Sequence, residues 1–157
     1  MCHYCGCREI PLIKEFIAEH ESVTDAAGGA LRALDRGDQG LAAELVARME
    51  RELRAHWQGE EEGLFAVMGD DTEYAGYIDA LVREHRELSA FLGRVDLARA
   101  EDVVQLREAV DELYRHISKE EDGLFPASLT ALSGDEWDLS MAAWRTAHPD
   151  APGDLGR

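Results

Sequence analysis

Hydrophobic residues recur at intervals of three and four along most of the chain, which is the pattern of amphipathic α-helices. This spacing predicts four long helices, over about residues 11–35, 39–68, 73–97 and 102–132. Pro11 suits the first turn of the first helix, and Asp38 and Thr72 are suitable caps for the second and third. Four such helices joined by short links predict an all-α fold, an up-down-up-down four-helix bundle.

The C-terminal part of the pattern is less regular. Pro126 lies inside the fourth helical stretch and is expected to kink or end that helix near Phe125. A short additional helix follows, with Trp137, Met141 and Trp144 on one face, and we expect it to pack on the bundle as a lid. The predicted regions are a cysteine-containing N-terminal arm (1–10), the bundle (11–132), and a short C-terminal helix with a flexible tail (133–157).

A repeated segment lies on top of the helical pattern. Residues 52–65 read ELRAHWQGEEEGLF and residues 112–125 read ELYRHISKEEDGLF. Each copy follows a helix that carries a Glu-His pair, Glu19-His20 or Glu84-His85. The sequence therefore predicts a duplicated helical hairpin with approximate two-fold symmetry.

Each of the four predicted helices carries one histidine within its apolar stripe: His20, His56, His85 and His116. Glutamates follow two of them at the fourth position, as Glu60 and Glu120, and residues four apart share one face of a helix. At a rise of about 1.5 Å per residue, antiparallel packing brings all four histidines to nearly the same height. The six side chains are therefore expected to converge.

A single histidine on an apolar face is usually a hydrogen-bonded core residue. Glu60 and Glu120 favour a metal site instead, because a buried carboxylate is costly unless a cation compensates its charge. Four imidazoles and two carboxylates exceed what one tetrahedral zinc ion needs, and they suit a pair of iron or manganese ions. The Glu-x-x-His motif of ferritin-like bundles is absent, because the residue three before each histidine is apolar: Ile17, Leu53, Val82 and Leu113.

The composition excludes several classes of protein. The 157 residues include 16 Lys and Arg against 33 Asp and Glu, a formal charge of −17, so there is no basic surface for nucleic acid or anionic membranes. The apolar runs are too short to span a membrane or to form a signal peptide. The three cysteines lie within the first seven residues and form no disulfide framework, so we expect a cytoplasmic protein.

The candidate ligands occur in the order His20, His56-x-x-x-Glu60, His85 and His116-x-x-x-Glu120, and the segments EEEGLF and EEDGLFP begin at the two glutamates. This pattern resembles the hemerythrin-like (HHE cation-binding) domain family. The resemblance covers about residues 1–130, and the opening MCHYCGCREIP is similar to that of actinobacterial hemerythrin-like proteins. It implies a non-haem di-iron centre with an oxo or hydroxo bridge between the two irons. The implied ligands are His20 and His56 on one iron, His85 and His116 on the other, and Glu60 and Glu120 bridging both.

The chain departs from oxygen-carrying hemerythrins at one ligand. Those proteins have a fifth histidine four residues from the third-helix ligand, where this sequence has Leu81 and Ser89. Tyr77 and Tyr114 are poorly aimed to replace it. One iron is therefore expected to keep an open or water-filled position, which favours small-molecule chemistry over simple O2 carriage.

Several other side chains have two interpretations. Glu52 and Glu112 lie four residues before His56 and His116, where they either accept hydrogen bonds from ligand histidines or are solvated. The adjacent acids are predicted to be surface charges: Glu61, Glu62, Glu121 and Asp122. His148 is expected to be peripheral.

The N-terminal arm contains Cys2, His3, Cys5 and Cys7, all soft ligand types. They form either an additional metal or redox site or a reduced, packed arm; the absence of any further cysteine favours the packed arm.

Two functions fit these features. The first is a cytoplasmic di-iron protein that reacts with hydrogen peroxide or O2, with catalase-like decomposition of peroxide. The alternative is a non-catalytic protein that senses, carries or stores O2, NO or iron. In both, the expected partners are small molecules.

Overall fold

The computed structural model describes residues 6–152, and every regular element in that range is helical. The four long helices are α1 (Pro11–Asp35), α2 (Gln39–Gly59), α4 (Ala75–Leu92) and α5 (Ala100–Lys119). The shorter elements are a 3-10 turn (Cys7–Glu9), α3 (Phe65–Gly69), α6 (Phe125–Ala131) and α7 (Gly134–Ala147). The predicted all-α, up-down-up-down four-helix bundle with a short additional C-terminal helix is confirmed.

Local capping explains where several helices begin. The Asp38 carboxylate accepts a hydrogen bond from the Leu41 N–H at 3.0 Å, as predicted for the start of α2. Ser133 and Glu136 form a reciprocal capping box at the start of α7. The predicted Thr72 cap is wrong, because α4 begins three residues later and its N-terminus has no side-chain cap.

The third helix is also shorter than predicted at its C-terminus. It ends at Leu92 rather than near residue 97, and the chain turns from Gly93 onwards. Within this turn the buried Asp102 carboxylate accepts the Asp96 N–H at 2.8 Å. This hydrogen bond fixes the connection to α5 in a non-helical conformation.

The second and fourth predicted helices are each interrupted by a π-helical turn. The first π turn (Glu60–Leu64) follows α2, and the second π turn (Glu120–Leu124) follows α5. In each, the N–H of the next residue, Phe65 or Phe125, bonds back five positions to the carbonyl of the leading glutamate. Such turns recur at functional sites, and both begin at a residue of the predicted ligand set.

Pro126 does not end the fourth helix. It lies in the first turn of α6, and the helix continues to Ala131. The expected kink at Phe125 is replaced by the second π turn just before it. The π turn already interrupts the regular backbone hydrogen bonding at this place. The missing N–H of Pro126 therefore costs the helix little further hydrogen bonding.

Two apolar clusters fill the bundle and leave a polar layer between them. One lies toward the α1–α2 turn and includes Val23, Met49 and Leu106. The other lies toward the α7 end and includes Phe16, Phe65, Phe125 and Trp144. In α1 the sequence passes from Phe16 in one cluster through His20 to Val23 in the other, which places the histidine layer between two apolar regions.

Helix α7 packs against α2 and the first π turn. Trp144 is buried, and Trp137 and Met141 are partly buried against the second cluster, as expected for a lid on the bundle. The division of the chain at residues 10/11 and 132/133 stays a prediction. Among the helices within residues 6–152, none combines the length and hydropathy needed to cross a membrane.

Candidate metal centre

The six predicted ligand residues come together in the polar layer, and each is at most 5% exposed: His20, His56, His85, His116, Glu60 and Glu120. The histidines form two pairs. In the first histidine pair, the Nε2 atoms of His20 and His56 are 3.0 Å apart. In the second histidine pair, the Nε2 atoms of His85 and His116 are also 3.0 Å apart.

The two buried glutamates lie between the pairs, and each presents one oxygen to each pair. Glu60 Oε1 is 3.2 Å from His56 Nε2, and Glu60 Oε2 is 3.5 Å from His85 Nε2. Glu120 Oε2 is 3.1 Å from His20 Nε2, and Glu120 Oε1 is 2.9 Å from His116 Nε2. The repeat in the sequence thus becomes a two-fold arrangement of four imidazoles around two carboxylates.

The outer nitrogen of every histidine meets a further carboxylate. His20 Nδ1 donates to Glu121 at 2.9 Å, and His85 Nδ1 donates to Glu61 at 2.7 Å. His56 Nδ1 donates to Glu19 at 2.9 Å, and His116 Nδ1 donates to Glu84 at 2.7 Å. These two glutamates directly precede the other histidine of each pair in the sequence. Since carboxylates only accept, each Nδ1 carries a proton and each Nε2 can turn a lone pair inward.

The centre of the cluster is therefore made of acceptors. Within residues 6–152, all four oxygens of Glu60 and Glu120 are buried, and the only nitrogens facing them are the inner Nε2 atoms of the histidines. Buried carboxylates without donors are unfavourable unless a cation lies among them. Nitrogen and oxygen donors of this kind fit a transition-metal ion, and the residues present fit such a site.

Electrostatics agree with a site that attracts positive charge. Burial lowers the pKa of His116, but Glu120, Glu60 and Glu84 raise it to about 9. Burial would raise the pKa of Glu120, yet its contacts with His116, His20 and His85 hold it well below its usual range. The cluster stabilises cations, which are protons when no metal is bound.

Two sets of donor atoms are close enough to hold a metal ion. One set comprises His20, His56, Glu60 and Glu120, and the other comprises His85, His116 and Glu120, with all donor atoms of a set within 4.8 Å of one another. The family model of the hemerythrin HHE cation-binding domain matches residues 12–128 of this chain. The chain belongs to that family.

The match covers the four bundle helices and both π turns of the hemerythrin domain, and it ends before α7. Neither curated proteins nor solved structures gave a significant match. The similarity to actinobacterial members suggested by the opening residues stays a prediction.

Aromatic rings cover the histidines of this hemerythrin domain. Phe125 stacks on His20 with ring centroids 6.0 Å apart, and Phe65 stacks on His85 at 5.5 Å. These phenylalanines occupy equivalent places after the two π turns. Trp57 also stacks on His85, at 4.8 Å, and the corresponding residue of the second repeat is Ile117.

Of the two interpretations of Glu52 and Glu112, the structure disfavours hydrogen bonds from the ligand histidines. Glu52 instead pairs with Arg48 at 2.7 Å, and Glu112 pairs with Arg115 at 2.6 Å. Both arginines lie on the same helix as their partners, within one turn. The carboxylates thus bind local cations rather than reaching the buried Nδ1 atoms.

The prediction that Glu61 and Glu121 are surface charges is also wrong. Each lies directly after a buried glutamate, at the start of a π turn, and reaches the histidine of a neighbouring helix. Sequence reasoning missed this because helical periodicity describes one helix at a time. Glu62 and Asp122 are exposed, as predicted.

Residues near both ends of the described range, 6–152, cover the first histidine pair. Arg8 donates to Glu121 at 2.8 Å, beside His20. Trp144 Nε1 donates to Glu19 at 3.3 Å, and His148 Nε2 contacts the other oxygen of Glu19. The prediction that His148 is peripheral is wrong. His148 contacts Glu19, and Glu19 in turn accepts from His56 of the centre.

The second histidine pair lies at the inner end of a cavity of about 190 Å³. Its lining comprises Trp57, Glu84, His85, Glu87, Leu88, Phe91, Ala109, Glu112, Leu113 and His116. Glu87 and Glu112 are exposed, whereas His85 and His116 are buried, so the cavity leads from the surface toward the centre.

The two sets above include no donor from Leu81, Ser89, Tyr77 or Tyr114. Leu81 is buried in the apolar cluster and Ser89 is exposed. The Tyr77 hydroxyl donates to the Lys119 carbonyl at 2.7 Å, and Tyr114 is 43% exposed.

The N-terminal cysteines lie largely outside the described range. Cys2, His3 and Cys5 are not among residues 6–152, and Cys7 is buried in the 3-10 turn. An additional metal or redox site formed by Cys2, Cys5 and Cys7 stays a prediction.

Proposed function

We propose that this hemerythrin-domain protein holds two iron ions and decomposes hydrogen peroxide in a catalase-like reaction, converting two H2O2 into two H2O and one O2. The observation that carries the proposal is the placement of Glu60 and Glu120, each with one oxygen toward each histidine pair. This is the arrangement that two bridging carboxylates need. The cavity beside the second pair supplies the way in for a small molecule.

In this proposal the first histidine pair would hold one iron and the second histidine pair the other, and Glu60 and Glu120 would be ligands shared by both. Mixed imidazole and carboxylate donors suit iron, and the set exceeds the needs of one tetrahedral zinc ion. When bound, two irons with an oxo or hydroxo bridge would supply the electrons that are exchanged with the O–O bond of peroxide.

The side chains around the two irons would orient the ligands and control which molecules reach them. Glu61, Glu84 and the two other outer carboxylates hold the Nδ1 protons, which fixes the tautomer and direction of every imidazole. Leu81 offers no donor at a place where oxygen carriers have a histidine, so an iron at the second pair would keep one coordination position free of a side-chain ligand. The apolar walls of Leu88, Phe91 and Leu113 admit a small neutral molecule.

The cavity also limits what can react. A water molecule occupies about 30 Å³ of the liquid, so a space of about 190 Å³ accommodates peroxide, O2 or NO with solvent. We assign these small molecules as partners and exclude nucleic acid, in keeping with the charge of −17. A cytoplasmic location remains part of the proposal and rests on composition.

The test starts from anaerobic loading of the purified protein with ferrous iron. We expect two irons per chain, and release of one O2 for every two H2O2 added. The control is the His56→Ala, His116→Ala double variant, which should hold fewer irons and release no O2. No O2 release from wild type, together with a reversible oxy-type absorption band, would support the non-catalytic alternative.

A further inference from the structure

Helix α7 lies beyond the residues that match the family model, yet it reaches the metal centre. The match ends at residue 128, and α7 spans Gly134–Ala147. The helix packs on α2 and the first π turn, beside the first histidine pair. Within residues 6–152, the second π turn has no counterpart of α7 packed on it.

The surface of the first repeat is shaped to receive this helix. A Cβ atom on Gly63 would lie 3.0 Å from the Ser140 carbonyl oxygen and 3.0 Å from the Ala143 Cβ. A Cβ atom on Gly59 would lie 3.3 Å from the Trp144 ring. The position equivalent to Gly59 in the second repeat is Lys119, whose partly exposed side chain contacts Glu84.

Docking of α7 places two donors on Glu19. Trp144 Nε1 donates to Oε2 at 3.3 Å, and His148 Nε2 contacts Oε1. The remaining interaction of Glu19 is with His56, whose Nδ1 donates to Oε2 at 2.9 Å. Three donors from three rings therefore fix one carboxylate, which is only 18% exposed.

His148 is itself fixed by its surroundings. Its ring stacks on Trp144 with centroids 4.4 Å apart, and its Nδ1 donates to the Trp144 carbonyl at 2.8 Å. Both ring nitrogens thus face acceptors, so the geometry requires a proton on each. His148 then acts as a cation and a donor toward Glu19.

The equivalent carboxylate of the second repeat has a weaker environment. Glu84 accepts from His116 at 2.7 Å and contacts Lys119, a flexible side chain that is 46% exposed. Glu84 is 33% exposed, nearly twice the value for Glu19. An exposed Lys–Glu pair contributes little to fixing a geometry.

We propose that Trp144 and His148 are positioning residues that hold the Glu19 carboxylate, and through it the His56 imidazole, so that the first metal position binds its ion more tightly than the second. The inference rests on the proposed function, because it takes two metal positions as given. Outer partners of ligand histidines typically change metal affinity by about 10–100-fold. Fixing His56 before the ion arrives removes part of the ordering cost of binding.

The experiment measures the two stepwise dissociation constants of anaerobic ferrous iron by competition with a chelator. We expect His148→Leu to weaken the tighter constant by about tenfold and to leave the weaker constant within about twofold. His148→Gln keeps a side-chain N–H near the Glu19 carboxylate, and it should restore most of the affinity. The matched variant in the other repeat, Lys119→Leu, should change both constants by less than about twofold.

A second pair of variants tests the same point without changing His148. Gly63→Val should displace α7 and weaken the tighter constant as His148→Leu does, because its side chain would enter the space of Ser140 and Ala143. The control is Gly76→Ala, since a Cβ atom at Gly76 meets nothing within 4 Å. Circular dichroism checks that the bundle stays folded in each variant.

The outcomes separate the inference from the function it rests on. Fewer than two irons on the wild-type chain would overturn the proposed function and this inference with it. Two irons on wild type, with unchanged constants in both His148→Leu and Gly63→Val, would overturn the positioning role alone. A His148→Gln variant as weak as His148→Leu would also contradict it, because the donor would then not matter.

Discussion

The first and second histidine pairs are built from the same repeated unit, yet different parts of the chain cover them. Around His20 and His56, the N-terminal Arg8 and the C-terminal Trp144 and His148 close over the outer carboxylates. Around His85 and His116, a cavity of about 190 Å³ leads outward between α4 and α5. The histidines of the second pair line a route to solvent. On the enclosed side, the neighbouring surface cavity is lined by Glu19 and His148 and not by His20 or His56.

The duplicated unit accounts for what the two halves share, and the rest of the chain accounts for how they differ. The repeat supplies the histidines, the buried glutamates, the π turns and the stacked phenylalanines in both halves. The difference comes from single positions such as Gly59 against Lys119 and Trp57 against Ile117, and from segments outside the repeat. The ligand residues therefore repeat in both halves, with Glu60 in only one of the two donor sets, while the residues that cover the two halves differ.

The largest effect is expected at Glu120, which belongs to both donor sets. Glu120→Ala should bind neither ion well and lose at least about 100-fold of the peroxide activity, because losing even an outer partner costs 10–100-fold. Elemental analysis and O2 release measure the two effects. The exposed Glu62 is the control, and Glu62→Ala should behave as wild type; two irons retained by Glu120→Ala would rule out a shared ligand.

Substitutions of the outer carboxylates should affect the two halves unequally. Glu19→Gln is expected to weaken iron binding by about 10–100-fold, because the neutral amide has one acceptor oxygen and cannot accept from both His56 and His148. Glu84→Gln should weaken it by less than about tenfold, since Glu84 is more exposed and solvent screens its charge. Chelator competition gives both values. Equal losses in the two variants would show that enclosure has no effect on affinity.

Blocking the cavity should slow the reaction without removing metal. Ala109 lines the cavity, and Ala109→Phe would place an aromatic ring in the path toward His116. We expect peroxide turnover to fall by about tenfold, a barrier increase of about 1.4 kcal/mol, with two irons retained. Stopped-flow mixing with peroxide measures the rate.

The control for the cavity is Ala18→Phe, an exposed position near the first histidine pair. Its turnover should match that of wild type. The reverse result, slow turnover in Ala18→Phe and normal turnover in Ala109→Phe, would place the entrance on the enclosed side.

The smallest effects are expected at Glu52 and Glu112. Their carboxylates pair with Arg48 and Arg115 rather than with histidines. Glu52→Gln and Glu112→Gln should therefore change iron affinity by less than about twofold, as is usual for exposed ion pairs. A tenfold loss in either variant, measured by the same chelator competition, would instead favour the interpretation in which these carboxylates accept hydrogen bonds from ligand histidines.

Much of this account can be predicted from the sequence because helical periodicity is a strong signal. The apolar spacing predicts the four helices, and the histidines at matching heights predict that six buried residues converge. Asp38 and Ser133 start their helices as their types suggest. These features depend on interactions within one helix or on simple antiparallel packing.

The π turns and the outer carboxylates could not be predicted in this way. The spacing His56-x-x-x-Glu60 is the same whether a regular or a wider turn follows it, so the first π turn leaves no mark on the ligand motif. Glu61 reaches His85 on another helix, a contact that periodicity does not report. His148 meets Glu19 only because α7 docks against Gly59 and Gly63, which depends on packing between distant segments.

The most direct test of the central claim is anomalous diffraction from crystals of the anaerobically iron-loaded protein, with data on both sides of the iron absorption edge. The account predicts two anomalous peaks per chain. One should lie between His20, His56 and the two buried glutamates, and the other between His85, His116 and the same glutamates. A single peak, or peaks away from Glu60 and Glu120, would contradict it.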